Sequence, residues 1–436
     1  MLMAPSCPSP PTDSGGNRTR PCGTSQPDDA PSSPGVRARR PPLVEDHGVP
    51  EHLRVDHSHR RIVVRVVLLT HVLLALLTAA AVTLAYRHLD GDIRSQDVTG
   101  MLTDRPEKED VEGPREPLNI LVMGTDDRSC EGCAIDGEAG GGGSDTTLLV
   151  HVSADRQEAY GISLPRDALV TRPDCMDEDG GVIPGGELEM FNTAFALGGP
   201  ACTIQTVEQL TGVLIDHYVT VDFNGFVDMV DAVGGVEVCI PKDVSDPTHN
   251  IFFDAGTQTL EGRQALNYVR ERYVLSANSD IGRMRRQQAF IASMINKVVS
   301  AGTLTRPDRV YSFLSAATRS ITVDEELGSI QDLVDLALQF RDTGLGSIEF
   351  VTVPNEAYEP DPNRLVWSDK ADKLWKRVAK DKSLTKKLGR GSITAKDPVG
   401  TSSADPSATA TEPVDPDEAA EQEKERAEAL ANGLCA

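Results

Sequence analysis

Positive charge is what this sequence lacks most. Its 436 residues carry 43 Lys plus Arg against 67 Asp plus Glu, a formal net charge of -24. So acidic a surface repels nucleic acid and anionic headgroups, and any anionic ligand must be held by a local basic site. No internal repeat is visible, so a solenoid is not expected. A second CxxC is missing too, and no His pair lies near Cys130-Glu-Gly-Cys133, so four zinc ligands are not assembled. Apolar residues are not lacking: 39% of the chain can build a core, which excludes wholesale disorder. The length allows about two or three domains.

One uncharged apolar run stands out, VVLLTHVLLALLTAAAVTLAY over residues 66–86. It is long enough to cross about 30 Å of hydrocarbon as a helix. Arg54, Arg60, Arg61 and Arg65 precede it, so the positive-inside rule places the N-terminus in the cytoplasm and everything after Tyr86 outside. A cleaved leader is disfavoured, because some 60 residues precede the run. The chain is expected to be a single-pass cell-membrane protein with an extracytoplasmic domain.

Residues 1–61 read as a disordered cytoplasmic tail, 62–86 as the transmembrane helix and 87–116 as a charged stalk. Over residues 117–355 strands alternate with helices, which argues an α/β layered domain. Strands are expected at 118–123, 146–152, 158–164, 217–223, 236–240 and 347–353, and a strong helix at 280–299. In that helix Ile281, Met284, Ile291 and Ile295 recur at helical spacing and mark its buried face. A basic helical extension follows at 356–395, with Ala371, Leu374, Trp375 and Val378 on one stripe. Residues 396–436 read as a flexible acidic tail. Cys130, Cys133, Cys175, Cys202, Cys239 and Cys435 fall on the oxidising side, where disulfides form. Six cysteines allow 15 complete pairings. Cys175–Cys202 is the leading expectation.

Two constellations carry chemistry. Asp126 lies in Gly124-Thr-Asp-Asp-Arg128 at a strand end, and Asp145 opens the next strand in Gly-Ser-Asp-Thr. Ligands bind at strand ends of α/β sheets, and paired carboxylates are hard oxygen ligands suited to Mg²⁺ or Mn²⁺. The second constellation is basic. Arg166 follows a strand in Ser-Leu-Pro-Arg-Asp, and Arg270 and Arg272 come from Tyr-Val-Arg-Glu-Arg-Tyr. Asp280, Arg283 and Gln287 share one helical face, while Arg285 and Arg286 are expected to stay solvated. Arg offers planar bidentate donors matched to phosphate oxygens.

The ordered set ILVMGTDDR, GSDTTLLVHV, ISLPRD, FNTAFALGG, DHYVTVDFNGFVDMVDAVGGVEVCIP and LEGRQALNYVRERYVLSANSDIGRMRRQQAFI resembles the LytR-CpsA-Psr family over residues 117–300. That resemblance implies a central mixed sheet between helical layers, behind one N-terminal transmembrane helix, with a long apolar pocket for a polyprenyl chain. It implies a phosphotransferase that moves a glycopolymer from a polyprenyl-pyrophosphate carrier onto a peptidoglycan hydroxyl. By the same resemblance Asp126 and Asp145 hold the metal. Arg128, Arg166, Arg270, Arg272, Arg283 and Gln287 bind phosphate, and Asp280 belongs to the catalytic set.

The chain departs from the family pattern at Gly143, where Arg is usual, at Ala168, where Thr is usual, and at Glu189 and Met190, where a basic residue is common. The further C-terminal domain of many actinobacterial members is not expected. Two other readings stay open, a non-catalytic scaffold or regulator that binds wall polymer, and a polyprenyl-pyrophosphate hydrolase. No residue pattern specifies the polymer or a general base.

Overall fold

Period-two alternation sorts the apolar side chains of residues 118–125, 144–152 and 159–164 onto two faces, and both faces are covered. The computed structural model describes residues 57–125, 142–276, 279–300, 306–385, 388–389, 391–398 and 416–435. The chain divides at residues 72/73 into two units. Of the first unit, the described part is the start of α1 (His57–Asp92). Among the described residues, α1 alone is long and apolar enough to cross a membrane.

The second unit is built on one mixed sheet. Its strands are β1 (Arg94–Ser95), β2 (Leu118–Thr125), β3 (Ser144–Val152), β4 (Ala159–Leu164), β5 (His217–Asp222), β6 (Ile321–Val323), β7 (Ile348–Thr352) and β8 (Ile393–Thr394). They lie in the spatial order β1-β6-β5-β2-β3-β4-β7-β8. The β2/β5, β4/β7 and β1/β6 pairs are parallel and the rest antiparallel. Leu121, Met123, Leu149 and Ile162 pack on one face against α2 (Thr193–Thr211) and, beyond it, the apolar stripe of α8 (Asp369–Ala379). Leu148 and Phe350 pack on the other face against Ala289 and Ala292 of α5 (Ser279–Ser300). Helices α3 (Phe223–Ala232) and α4 (Gly262–Arg270) share a neighbouring core with Phe290 of α5. The result is an α/β/α sandwich with a central mixed sheet.

Three segments differ from the sequence expectation. The stalk at 87–116 belongs to the fold in large part: Leu89 and Val98 are buried, β1 extends the sheet edge, and Arg105 reaches the buried Glu208 carboxylate at 2.6 Å. A charged composition hid a few apolar anchors. In the basic extension the expected stripe of Ala371, Leu374, Trp375 and Val378 is buried, but the segment is not helical throughout: it also holds the strand Asp361–Trp367 and β8, which pairs antiparallel with β7. The acidic tail ends in helix α9 (Pro416–Ala431), Leu434 is buried, and Cys435 is disulfide-bonded to Cys239. The second bridge, Cys175–Cys202, ties the small hairpin Cys175–Met176/Val182–Ile183 to α2.

Candidate functional site

The site forms where β2 and β4 end and β3 begins. Gly124 faces Thr146 and Thr125 faces Ser144, so the ladder skips Asp145. Asp145 is therefore a bulge residue, and bulges re-aim side chains at strand ends. Pro165, which has no N–H to give the ladder, ends β4 and releases Arg166 and Asp167. The released turn is pinned by Ala168 N to Pro165 O at 3.2 Å and by Asn192 N to Arg166 O at 3.1 Å.

The second half of the site comes from the segment joining α4 to α5. Glu271 accepts backbone N–H bonds from Tyr273, Val274 and Leu275 at 2.5, 2.6 and 2.9 Å, which fixes the loop carrying Arg272. Behind it Arg286, 0% exposed, donates to the Glu271 carbonyl and to the Asn432 carbonyl, the latter at 3.2 Å. Its guanidinium also lies 3.6 Å from the Glu271 carboxylate. The expectation that Arg286 is solvated is thus corrected, because a carboxylate and two carbonyls remove the need for water. Arg285 is half-buried and donates to the Gly391 carbonyl and to Gln288 Oε1.

Five of the candidate residues converge. Arg166 donates to the Asp145 carboxylate, which Arg272 Nη2 also approaches at 3.7 Å. Arg283, 1% exposed, donates to Asp280, and Arg166 Nε lies 3.9 Å from the same Asp280 oxygen. Asp167 joins at 3.5 Å from Arg166 Nε, and Arg364 reaches Asp167 at 3.9 Å from the hairpin strand Asp361–Trp367. Neither Asp167 nor Arg364 was singled out in sequence, and only the proximity of Asp167 to Arg166 offered a signal.

Gln287 donates instead to the Val269 carbonyl at 3.1 Å, tying α5 to α4. Arg270 lies with its guanidinium 4.6 Å from the centre of the Phe223 ring. Asp126 and Arg128 lie outside the described residues, as do Cys130 and Cys133. At Gly143 a Cβ would meet nothing nearer than Asn192 Nδ2 at 3.9 Å, so the site has room for a side chain there.

The electrostatics follow from burial opposed by pairing. Burial alone would raise the Asp145 pKa, but Arg166, Arg283 and Arg272 outweigh it and hold the carboxyl below its ordinary value. Burial wins at Asp280, whose pKa is raised despite Arg283. Arg283 is pushed down to about 10 by burial and by Arg272 and Arg166, with Asp280 opposing. It remains cationic at neutral pH. Three buried polar atoms of the cluster have no hydrogen-bond partner among the described residues: Arg166 Nε, Arg283 Nε and Asp280 Oδ2. Orphaned buried donors and acceptors cost about 1–3 kcal/mol each, more when charged. This arrangement can take an anion at the arginines and a cation or hydroxyl at the carboxylates.

An α/β/α sandwich with a buried arginine–carboxylate cluster at a strand-end bulge is a layered protein of the α/β class. The chain belongs to the LytR-CpsA-Psr family, whose model matches residues 86–381. It is 36% identical over 242 residues to the probable cell wall biosynthesis protein LcpB of Corynebacterium glutamicum, the match covering 54% of each chain. The chain thus spans about half the length of that relative. It is 31% identical over 250 residues to the polyisoprenyl-teichoic acid–peptidoglycan teichoic acid transferase TagU of Enterococcus faecalis, covering 57% of this chain and 74% of that one. Among solved structures, Bacillus subtilis TagV is 27% identical with a TM-score of 0.46, covering 62% of this chain and 99% of that one.

Proposed function

We propose that this chain is a phosphotransferase that moves a glycopolymer from a polyprenyl-pyrophosphate carrier to a hydroxyl of peptidoglycan. The observation that carries the reading is the buried cluster of Arg166, Arg272 and Arg283 around Asp145 and Asp280, with two guanidinium Nε donors that find no partner among the described residues. Oxygens of a pyrophosphate satisfy such donors, and planar guanidinium groups match them. Family membership and the activity for which the Enterococcus faecalis relative is named agree with this chemistry.

In the proposed step the acceptor hydroxyl oxygen attacks the phosphorus that bears the sugar. The bond from that phosphorus to the bridging oxygen breaks, and polyprenyl phosphate leaves with the electron pair. Arg166, Arg272 and Arg283 stabilise the charge that gathers on the phosphoryl oxygens. The hydroxyl proton passes to Asp280, whose Oδ2 has no partner among the described residues and whose raised pKa improves it as an acceptor. Asp145 fits a divalent cation as a hard anionic oxygen donor that its neighbours hold ionised. Asp145, with Asp126 by family resemblance, would hold Mg²⁺ or Mn²⁺, and the bound ion supplies further neutralisation of the pyrophosphate.

A second reading, polymer binding without turnover, is favoured by Gly143, which stands where Arg is usual in the family. Release of polyprenyl phosphate by the full chain, in detergent with Mg²⁺ and a lipid-linked polymer, decides between them. Asp145→Ala and Arg283→Ala should each lower release by about 10²–10³-fold, the scale of losing a group that stabilises the transition state. Arg283→Lys keeps charge but loses the planar fork, so it too should be impaired. Normal release by Asp145→Ala without added metal sinks the metal-assisted step. Equal release without peptidoglycan marks a hydrolase, and binding with no release marks a scaffold.

A further inference from the structure

Tyr273 directly follows Arg272 and is 69% exposed, an aromatic ring one residue along the chain from a member of the arginine cluster. Its placement is not casual. It stacks on the His249 ring at 5.1 Å with planes 7° apart. One buried carboxylate fixes the backbone of Tyr273 and another the ring of His249. Glu271 accepts the Tyr273 backbone N–H at 2.5 Å, and the next two residues of the loop hang from the same carboxylate. Asp246 is hydrogen-bonded to His249 Nδ1 at 2.6 Å and accepts the His249 backbone N–H at 3.2 Å. Both supports are rooted in one core. Leu275 anchors the tyrosine loop there, while Ile251 and Phe253 anchor the hairpin Val244–Asp246/Ile251–Phe253 that carries His249 at its tip. Two elements distant in sequence therefore present a rigid, half-open aromatic stack to solvent.

Exposed tyrosine held in one orientation provides apolar contact area with little conformational entropy to lose, and its hydroxyl keeps the edge wet. The ligand that matches such a surface is a pyranose ring, with an apolar C–H face for the ring and hydroxyls for the water around it. Resting on the transfer reading above, we propose that Tyr273, backed by His249, is a stacking platform for a sugar residue beside the phosphate cluster. The sugar belongs either to the polymer that arrives on the lipid or to the peptidoglycan glycan that receives it. Consecutive Cα atoms lie about 3.8 Å apart, so the Tyr273 backbone is fixed next to that of Arg272. The platform would set which sugars are held in register without touching the reacting phosphorus.

Binding of soluble, phosphate-free saccharides to the full chain in detergent tests this without any need for turnover. Two probes are titrated calorimetrically: a peptidoglycan glycan-strand tetrasaccharide and an oligosaccharide freed from the wall polymer. One of them should bind, naming the source. Tyr273→Ala should weaken that binding by about tenfold, His249→Ala by less, and Tyr273→Phe by no more than about threefold. Unaltered thermal melts would show that the fold is intact. Equal affinity of wild type and Tyr273→Ala for both saccharides, or no binding of either, overturns the platform. The two proposals fail separately. Saccharide binding lost in Tyr273→Ala, with no polyprenyl phosphate released by wild type, keeps the platform and removes the transfer reading. Normal release with saccharide binding unaffected by Tyr273→Ala does the reverse.

Discussion

Asp145 carries the strongest conflict of forces in the cluster: burial favours its neutral form and three arginines favour its charged one. The arginines prevail, so its folded pKa lies below its unfolded value of about 3.9. A depressed carboxylate contributes stability above the unfolded pKa and loses it as pH falls through the folded one. Wild type should therefore melt higher than Asp145→Asn at pH 7, and the gap in Tm should close as pH drops below about 4. Melting curves that stay parallel from pH 7 to pH 3 would contradict the pairing. The residues of this cluster were legible because Asp145, Arg166, Arg272, Asp280 and Arg283 sit at strand ends, in a loop and at one helix face, where spacing speaks. Arg286 and Gln288 were not legible. Their partners, Glu271 and Asn432 for the first and Ser163 and Val351 for the second, lie 15 to 146 residues away in sequence, beyond the reach of any local pattern. A polar residue on a helix reads as solvated until its remote partners are known.

At the scale of elements, the central strands and α5 were readable because period-two and period-3.6 patterns run for five residues or more. In α2 the helix is interrupted at Gly199, which takes a left-handed φ of 57°. The two-residue strands β1 and β8 were not legible, since so short a segment has no period and becomes a strand only through its neighbour. The tail was misjudged for a related reason: its acidic composition outweighs Leu434 and Cys435, which help to anchor it together with the Asn432 carbonyl. The two disulfides should differ in weight. Cys175–Cys202 spans a separation of 27 and Cys239–Cys435 one of 196. Loop-closure entropy values these at roughly 3–4 and about 5 kcal/mol. Cys435→Ala should thus lower Tm further than Cys202→Ala under non-oxidising-neutral, non-reducing conditions, the more so because Leu434 loses its tether. A Cys435→Ala protein that melts like wild type would show that the tail docks without the bond.

For the whole molecule, one apolar helix near the N-terminus and a net charge of -24 set the frame. We propose that the Arg-rich flank before the span keeps the N-terminus in the cytoplasm. A reporter fused after Ala436 should then be active only in a format that senses the exterior. Cytoplasmic activity of that fusion would overturn the orientation. The docking of Asn432 also imposes an order in time. Arg286 enters the chain 146 residues before the Asn432 carbonyl that it meets. At about 5–20 residues per second, a ribosome leaves that guanidinium waiting for roughly 7–30 s. The contact behind the loop that carries Arg272 and Tyr273 is therefore completed late. Deleting residues 432–435 would not trim a loose end. It would hold the chain at the stage a nascent one passes through before that contact forms.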